Sequence, residues 1–206
     1  MSSVERNKYL WKRLHTLSGV VPLGGFLAEH LWTNMHAIEG PAAFNADVSY
    51  LEHLPFLFII EMVVIVIPLL YHMIYGIKVM LDARYNVGAM SYFRNWMYSL
   101  QRWTGAFMVI FIAYHYWQFR LRSYFGLVPL NFNSVAQALH NPWMVLFYIL
   151  GVLTTVFHFS NGLWSFALDW GLIVGARAQR QFTWVTLTAF VVLGGMGMVS
   201  IYAFAR

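Results

Sequence analysis

Apolar residues along this chain gather into five long runs separated by short polar stretches, each run near the roughly 20 residues a membrane-crossing helix needs. The runs extend from about Leu14 to Ala37, Pro55 to Leu81, Trp96 to Phe119, Pro142 to Trp170 and Phe182 to Ala205. Pro55 and Pro142 suit the first turn of their helices, where a missing N–H does no harm. With such short connections, residues 1–206 read as one all-α domain, a polytopic bundle of five transmembrane helices. Ionisable residues inside the runs are few: His30, His72, His115 and His158 fall one to each of the first four, accompanied by Glu29 and Glu61. Such a residue in a membrane helix costs free energy unless it has a partner, which makes each a candidate for function. The surroundings of two histidines repeat: YHMIYG around His72 and FHFSNG around His158 both place a glycine four residues on, one turn along the same helix face. A histidine beside a glycine leaves room for something flat and large, and a haem is the obvious flat object.

Composition agrees with the membrane reading. The 206 residues are 60% hydrophobic and only 10% charged, with a mean hydropathy of +0.58, which excludes an ordinary soluble domain. Absence of cysteine excludes disulfides, iron–sulfur ligation by this chain and the covalent attachment of a c-type haem. Arg6, Lys8, Lys12 and Arg13 ahead of an apolar run suggest a secretory signal, but the run continues past Pro22 to about Met35 without a small-x-small cleavage site. It reads as a retained first helix. The net charge of +5 does not point to nucleic acid, because the basic residues flank membrane segments, where they set topology or meet anionic lipid.

Those basic residues fix an orientation. Arg6, Lys8, Lys12, Arg13, Lys78, Arg84, Arg94, Arg102, Arg177 and Arg180 fall on one side, and only Arg120, Arg122 and Arg206 on the other. The positive-inside rule then predicts a cytoplasmic N-terminus and an outer C-terminus. At 1.5 Å per residue, His72 and His158 lie about 25 Å below the outer starts of their helices, toward the cytoplasm. By the same rise His30 and His115 lie about 20 to 25 Å above the inner boundary, toward the outside. Four histidines on four helices therefore form two pairs, as two bis-histidine haems stacked across a membrane require.

A single intramembrane histidine is as readily a structural hydrogen-bonding residue as a ligand. Two pairs matched in depth favour ligation, since independent structural histidines have no reason to agree in level. Elsewhere the plainer readings compete. His53 and His140 precede the helix-opening prolines and read as solvated, while His15 is an interfacial residue or a contact for a haem propionate or partner subunit. Arg94 and Arg102 are further propionate candidates, and His36 is solvated or part of a quinone site. Glu29 and Glu61 relay protons near the outer side or hydrogen-bond a neighbouring helix. Lys78 and Asp82 are spaced for an ion pair. The tryptophans fall near helix ends as an interfacial belt, and the fifth helix, without charge or histidine in its run, has packing as its simplest role. The glycines of that helix follow no strand and are not a nucleotide fingerprint.

Several stretches together resemble a known family: Arg13-Leu14-His15, IPLLYHMIYG from Ile67 to Gly76, SYFRNWMYSLQRWTG from Ser91 to Gly105, and FHFSNGLWSF from Phe157 to Phe166. Over nearly its whole length the chain is similar to the single-polypeptide, five-helix, di-haem cytochrome b subunit of bacterial succinate:quinone oxidoreductases. That resemblance implies partners and a direction: a flavoprotein subunit oxidises succinate, an iron–sulfur subunit passes on the electrons, and the cytochrome receives them at its cytoplasmic face. The family's axial ligands fall on His72 and His158 for the inner haem and on His30 and His115 for the outer. The cofactors implied are two b haems and a quinone, usually menaquinone, reacting near the outer haem where Glu29, Trp32, His36, Trp117 and Arg120 lie.

The expected role is that of a membrane anchor carrying electrons to quinone in the bacterial cytoplasmic membrane, with no succinate-oxidising residues of its own. Three alternatives stay open: the membrane subunit of a quinol:fumarate reductase, a di-haem cytochrome of another respiratory complex, and a non-redox anchor or transporter using its histidines as a proton relay. Membrane lipid and a higher oligomer of the complex complete the expected partners.

Overall fold

The structure, a computed structural model, describes residues 3–206, and among these the regular structure is entirely helical. Helix α1 (Ser3–Val20) runs into α2 (Pro22–Met35) through Val21, whose backbone stays helical at φ −80, ψ −68. Pro22 has no N–H to give to the preceding turn, so the first predicted span is one rod with a break in its ladder. A 3₁₀ turn (His36–Glu39) and Gly40, at a φ of 109 that only glycine adopts readily, lead into α3 (Pro41–Glu52). Then follow α4 (Leu57–Leu81), α5 (residues 93–124), α6 (Phe132–Ala138), α7 (Pro142–Asp169) and α8 (Gly175–Ala205).

Three departures from the sequence reading have local causes. Pro142 does open its helix, capped by the Asn141 side chain, which accepts from the Trp143 N–H at 2.9 Å. Pro55 does not: the chain turns there, Phe56 adopts a left-handed φ of 58, and α4 begins at Leu57. Short helices α3 and α6 occupy stretches read as loops, held by Phe44, Val48 and Val135 in the core and by a capping box between Asn131 and Ser134. Two helices also widen into π turns, at Glu61–Val66 and Trp117–Leu121. The first precedes Pro68, which cannot bond to Val64 and crowds its carbonyl.

Helix α7 packs along both α5 and α8, α1 lies against α4 and α7, and α2 lies against α4 and α8. The α1–α2 rod, α4, α5 and α7 thereby close a four-helix ring, with α8 on its outside. Small residues let the rods approach: a Cβ at Gly151 would collide with Phe111, and one at Gly197 with Val152. Lys12 pairs with Asp169 at 3.1 Å at one end of the bundle, where Trp170 also donates to Thr16. At the opposite end Phe44 meets Phe204 edge-on at 5.0 Å and Arg206 donates to the Ile38 carbonyl.

Among the described residues three helices, α4, α7 and α8, are long and apolar enough to cross a membrane. The break at Val21 divides the first predicted span into pieces of 18 and 14 residues, and α5 carries Arg94, Gln101 and Arg102. Helix α4 presents Phe58, Ile59, Val63, Ile67 and Ile74 at the surface and has no buried residue along its apolar window. An unburied apolar helix of this length has lipid or another membrane chain as its natural surroundings.

Candidate functional site

Each wall of the four-helix ring supplies one histidine, and the structure brings them together two by two. His72 of α4 and His158 of α7 stand with ring centres 6.3 Å apart and planes at 81°. His30 of α2 and His115 of α5 stand 5.7 Å apart at 86°. An imidazole nitrogen sits about 2 Å from a metal, so with half a ring on either side two rings sharing one ion have centres about 6 Å apart. Both pairs have that separation, and among the described residues no third histidine, aspartate or glutamate joins either to form a cage made by protein alone.

Glycines keep the first pair accessible. A Cβ built on Gly19 would lie 2.5 Å from Cε1 of His72, and one on Gly105 would lie 3.1 Å from Cε1 of His158. Any larger residue would displace the imidazole that leans over it. The second pair is walled by aromatic rings: Phe26 lies 5.2 Å from His30, and Phe111, Phe119 and Tyr148 lie 5.4 to 5.9 Å from His115. Among the described residues His15 Nδ1, stacked beside the first pair, Arg102 Nε and His115 Nδ1, in the second pair, are buried polar atoms without a hydrogen-bond partner, as are the Ser99 and Ser160 hydroxyls. A prosthetic group with an apolar disc and acidic edges would cover the first two, as buried polar groups require.

Comparison with known proteins adds to this geometry. The sequence model of the succinate dehydrogenase/fumarate reductase transmembrane subunit family matches residues 8–95 and again residues 84–196. The succinate dehydrogenase cytochrome b558 subunit of Bacillus subtilis is 45% identical over 197 residues, 96% of this chain and 97% of that protein. The chain belongs to the succinate dehydrogenase/fumarate reductase transmembrane subunit family. A more distant relative, the succinate dehydrogenase hydrophobic membrane anchor subunit of Thermoplasma acidophilum, is 28% identical over 89 residues, 43% of this chain and 69% of that protein. In this family member the two matched segments each hold one histidine of each pair: His30 and His72 in the first, His115 and His158 in the second. Each pair therefore forms only where the two halves of the chain meet.

The remaining candidates divide. His15 stacks on His72 at 4.1 Å and 18°, directly beside the first pair. Arg102 folds back over the Tyr98 ring and donates to the Tyr98 carbonyl at 2.6 Å. Arg94 is turned toward α7 and α8, lying over Trp164 at 3.6 Å and donating to Thr183, and its partial burial lowers its pKa from the ordinary guanidinium value. Of the proposed quinone region, His36 pairs with Asp47 of α3 at 2.6 Å and meets Trp32 edge-on. Arg120 instead pairs with Glu61 at 2.8 Å, so the intrahelical carboxylate has a neighbouring-helix partner and the pair joins the two π turns. Glu29 faces outward and accepts from Thr33, and Trp117 is half exposed. Lys78 and Asp82 form the ion pair their spacing predicts.

Sequence reasoning missed Ser18 and Thr104, which contact the imidazoles of His72 and His158, and Gln101, which joins Asn161 and donates to the His158 carbonyl. A signal was present: Ser18-Gly19 and Thr104-Gly105 each precede their histidine by the same interval, 54 positions from hydroxyl residue to histidine.

Proposed function

We propose that this chain is the membrane-anchoring, electron-carrying subunit of a succinate dehydrogenase, taking electrons from an iron–sulfur subunit at its cytoplasmic face and delivering them to a membrane quinone. The observation that carries the reading is the pairing of four histidines at two levels of one helical ring, in a chain 45% identical over 96% of its length to a succinate dehydrogenase cytochrome subunit. The chain is a multi-pass membrane protein, in bacteria one of the cytoplasmic membrane. The reading adds five spans with the N-terminus inside and the C-terminus outside, supported by the charge asymmetry of the loops.

His72 and His158 would hold one b haem and His30 and His115 a second. A haem ligated on both faces supplies one-electron carriage and has no open iron position. The protein's own residues do the rest. Glycines 19 and 105 leave the space, and His15 and Arg102 offer donors at the inner end, where propionates would otherwise meet apolar surroundings. Aromatic rings around His30 and His115 keep water from the outer level. Glu61 and Arg120 place a carboxylate and a guanidinium together near the outer side, where quinone, menaquinone in most such enzymes, would exchange protons. With quinone reacting at that side, charge transfer is coupled to the membrane potential at about 2.3 kcal/mol per charge per 100 mV. Succinate chemistry belongs to the flavoprotein partner. The membrane subunit of a quinol:fumarate reductase would use the same scaffold, and the cytochrome relative's succinate dehydrogenase name favours succinate oxidation.

The test separates the two activities of the purified complex. A His72→Ala complex should keep succinate oxidation with a soluble artificial acceptor while quinone reduction falls to background. Full quinone reduction in that variant would contradict the proposal.

A further inference from the structure

His72 and His158 are held from behind in the same way. The Ser18 hydroxyl lies 3.3 Å from His72 Nδ1 and the Thr104 hydroxyl 3.2 Å from His158 Nδ1, each on the helix facing its histidine. Both hydroxyls have committed their one hydrogen elsewhere: Ser18 donates to the His15 carbonyl at 2.9 Å, and Thr104 to the Leu100 carbonyl at 2.7 Å. Toward the imidazole each oxygen therefore accepts, which places the ring hydrogen on Nδ1. For His72 the assignment has a second support, because its Nδ1 also lies 3.0 Å from the His15 carbonyl, which can only accept. In both rings Nε2 is then the nitrogen with a free lone pair, the one able to bind a metal.

The other level lacks this device. Among the described residues His115 Nδ1 is buried without a hydrogen-bond partner, and the Asn34 amide lies 3.5 Å from Nε2 of His30, not from its Nδ1. The next residue at each hydroxyl position is the glycine over which the imidazole leans, so orientation and tautomer are set together by two adjacent residues.

We infer that Ser18 and Thr104 are positioning residues that fix His72 and His158 as Nδ1–H tautomers and set the electron affinity of the site between them. The inference rests on the haem reading above. A hydrogen bond accepted from Nδ1–H makes the imidazole a stronger donor through Nε2, which favours the oxidised metal and lowers its potential. The two hydroxyls are matched: behind each ring the backbone three residues before the hydroxyl is a second partner, the His15 carbonyl for His72 and the Gln101 backbone for His158.

The experiment uses the complex purified with its partner subunits, with haem counted by pyridine haemochrome and potentials measured by optical redox titration. The inner component is assigned as the one missing from a His158→Ala complex. Thr104→Val, close in shape to threonine, should move the inner component to higher potential and leave the outer one in place. Ser18→Ala should move the same component in the same direction, and Thr104→Ser should return it to the wild-type position. If Thr104→Val also weakens retention, about 10- to 100-fold as for other groups behind metal-bound histidines, recovery by Thr104→Ser supports the inference. Failure of Thr104→Ser to restore occupancy or potential overturns it. So does a wild-type complex with two haems in which Thr104→Val and Ser18→Ala leave both components unmoved. A wild-type complex without haem would overturn the proposed function instead.

Discussion

A His158→Ala complex should purify with half the haem of the wild type, having lost the site it shares with His72 and kept the one between His30 and His115. The two rings are 6.3 Å apart, on α7 and α4, and among the described residues neither has a nearby histidine, aspartate or glutamate able to replace the other as a second ligand apart from His15. His15 stacks flat on His72 and does not lie between the rings, so it is poorly placed to rescue the site. His72→Ala should give the same spectrum as His158→Ala. His30→Ala and His115→Ala should together define a different one, because those rings meet 5.7 Å apart at the other level. Loss of both haems from every variant, or of none from any, contradicts the pairing. The measurement is haem per protein with a dithionite-reduced spectrum for each of the four variants.

Removing one side of the Glu61–Arg120 ion pair should have the largest effect on stability. The pair is mostly shielded from solvent within the protein, at 2.8 Å, and joins two different helices. Arg120→Leu leaves an unpaired carboxylate in low-dielectric surroundings, a change that costs about 3 kcal/mol or more, or else forces the carboxylate to protonate. Changing both residues together, Arg120→Leu with Glu61→Gln, removes the charge as well as its partner and should recover most of the loss. A thermal or detergent denaturation series on the purified complex reads this directly. Equal stability of the single and double variants would show that the pair is exposed to solvent and contributes little.

The parts legible in sequence were those governed by periodicity and spacing. Apolar runs gave the helices carrying His30, His72, His115 and His158, and the rise per residue sorted these into levels before any contact was visible. Boundaries were less legible where local chemistry overrode the pattern: Pro55 looks like a helix opener, but the left-handed Phe56 delays the start by two residues. Helices α3 and α6 were hidden because they are too short to be seen as membrane segments and are held by tertiary burial of Phe44, Val48 and Val135. The partner of Glu61 was invisible for another reason, since Arg120 is 59 positions away on a different helix and nothing in its own surroundings marks it. Ser18 and Thr104 each look like ordinary helix hydroxyls bonding back to their own turn, which they also do. Only their common interval to a histidine distinguishes them, and that interval acquires meaning once α1 is seen against α4 and α5 against α7.

The most direct measurement is a pyridine haemochrome quantitation, with a dithionite-reduced spectrum, of this chain purified together with its partner subunits. Two b haems per chain is the result expected of two histidine pairs in one ring. Folded, assembled protein containing no haem would contradict the account and return the four histidines to proton or ion handling.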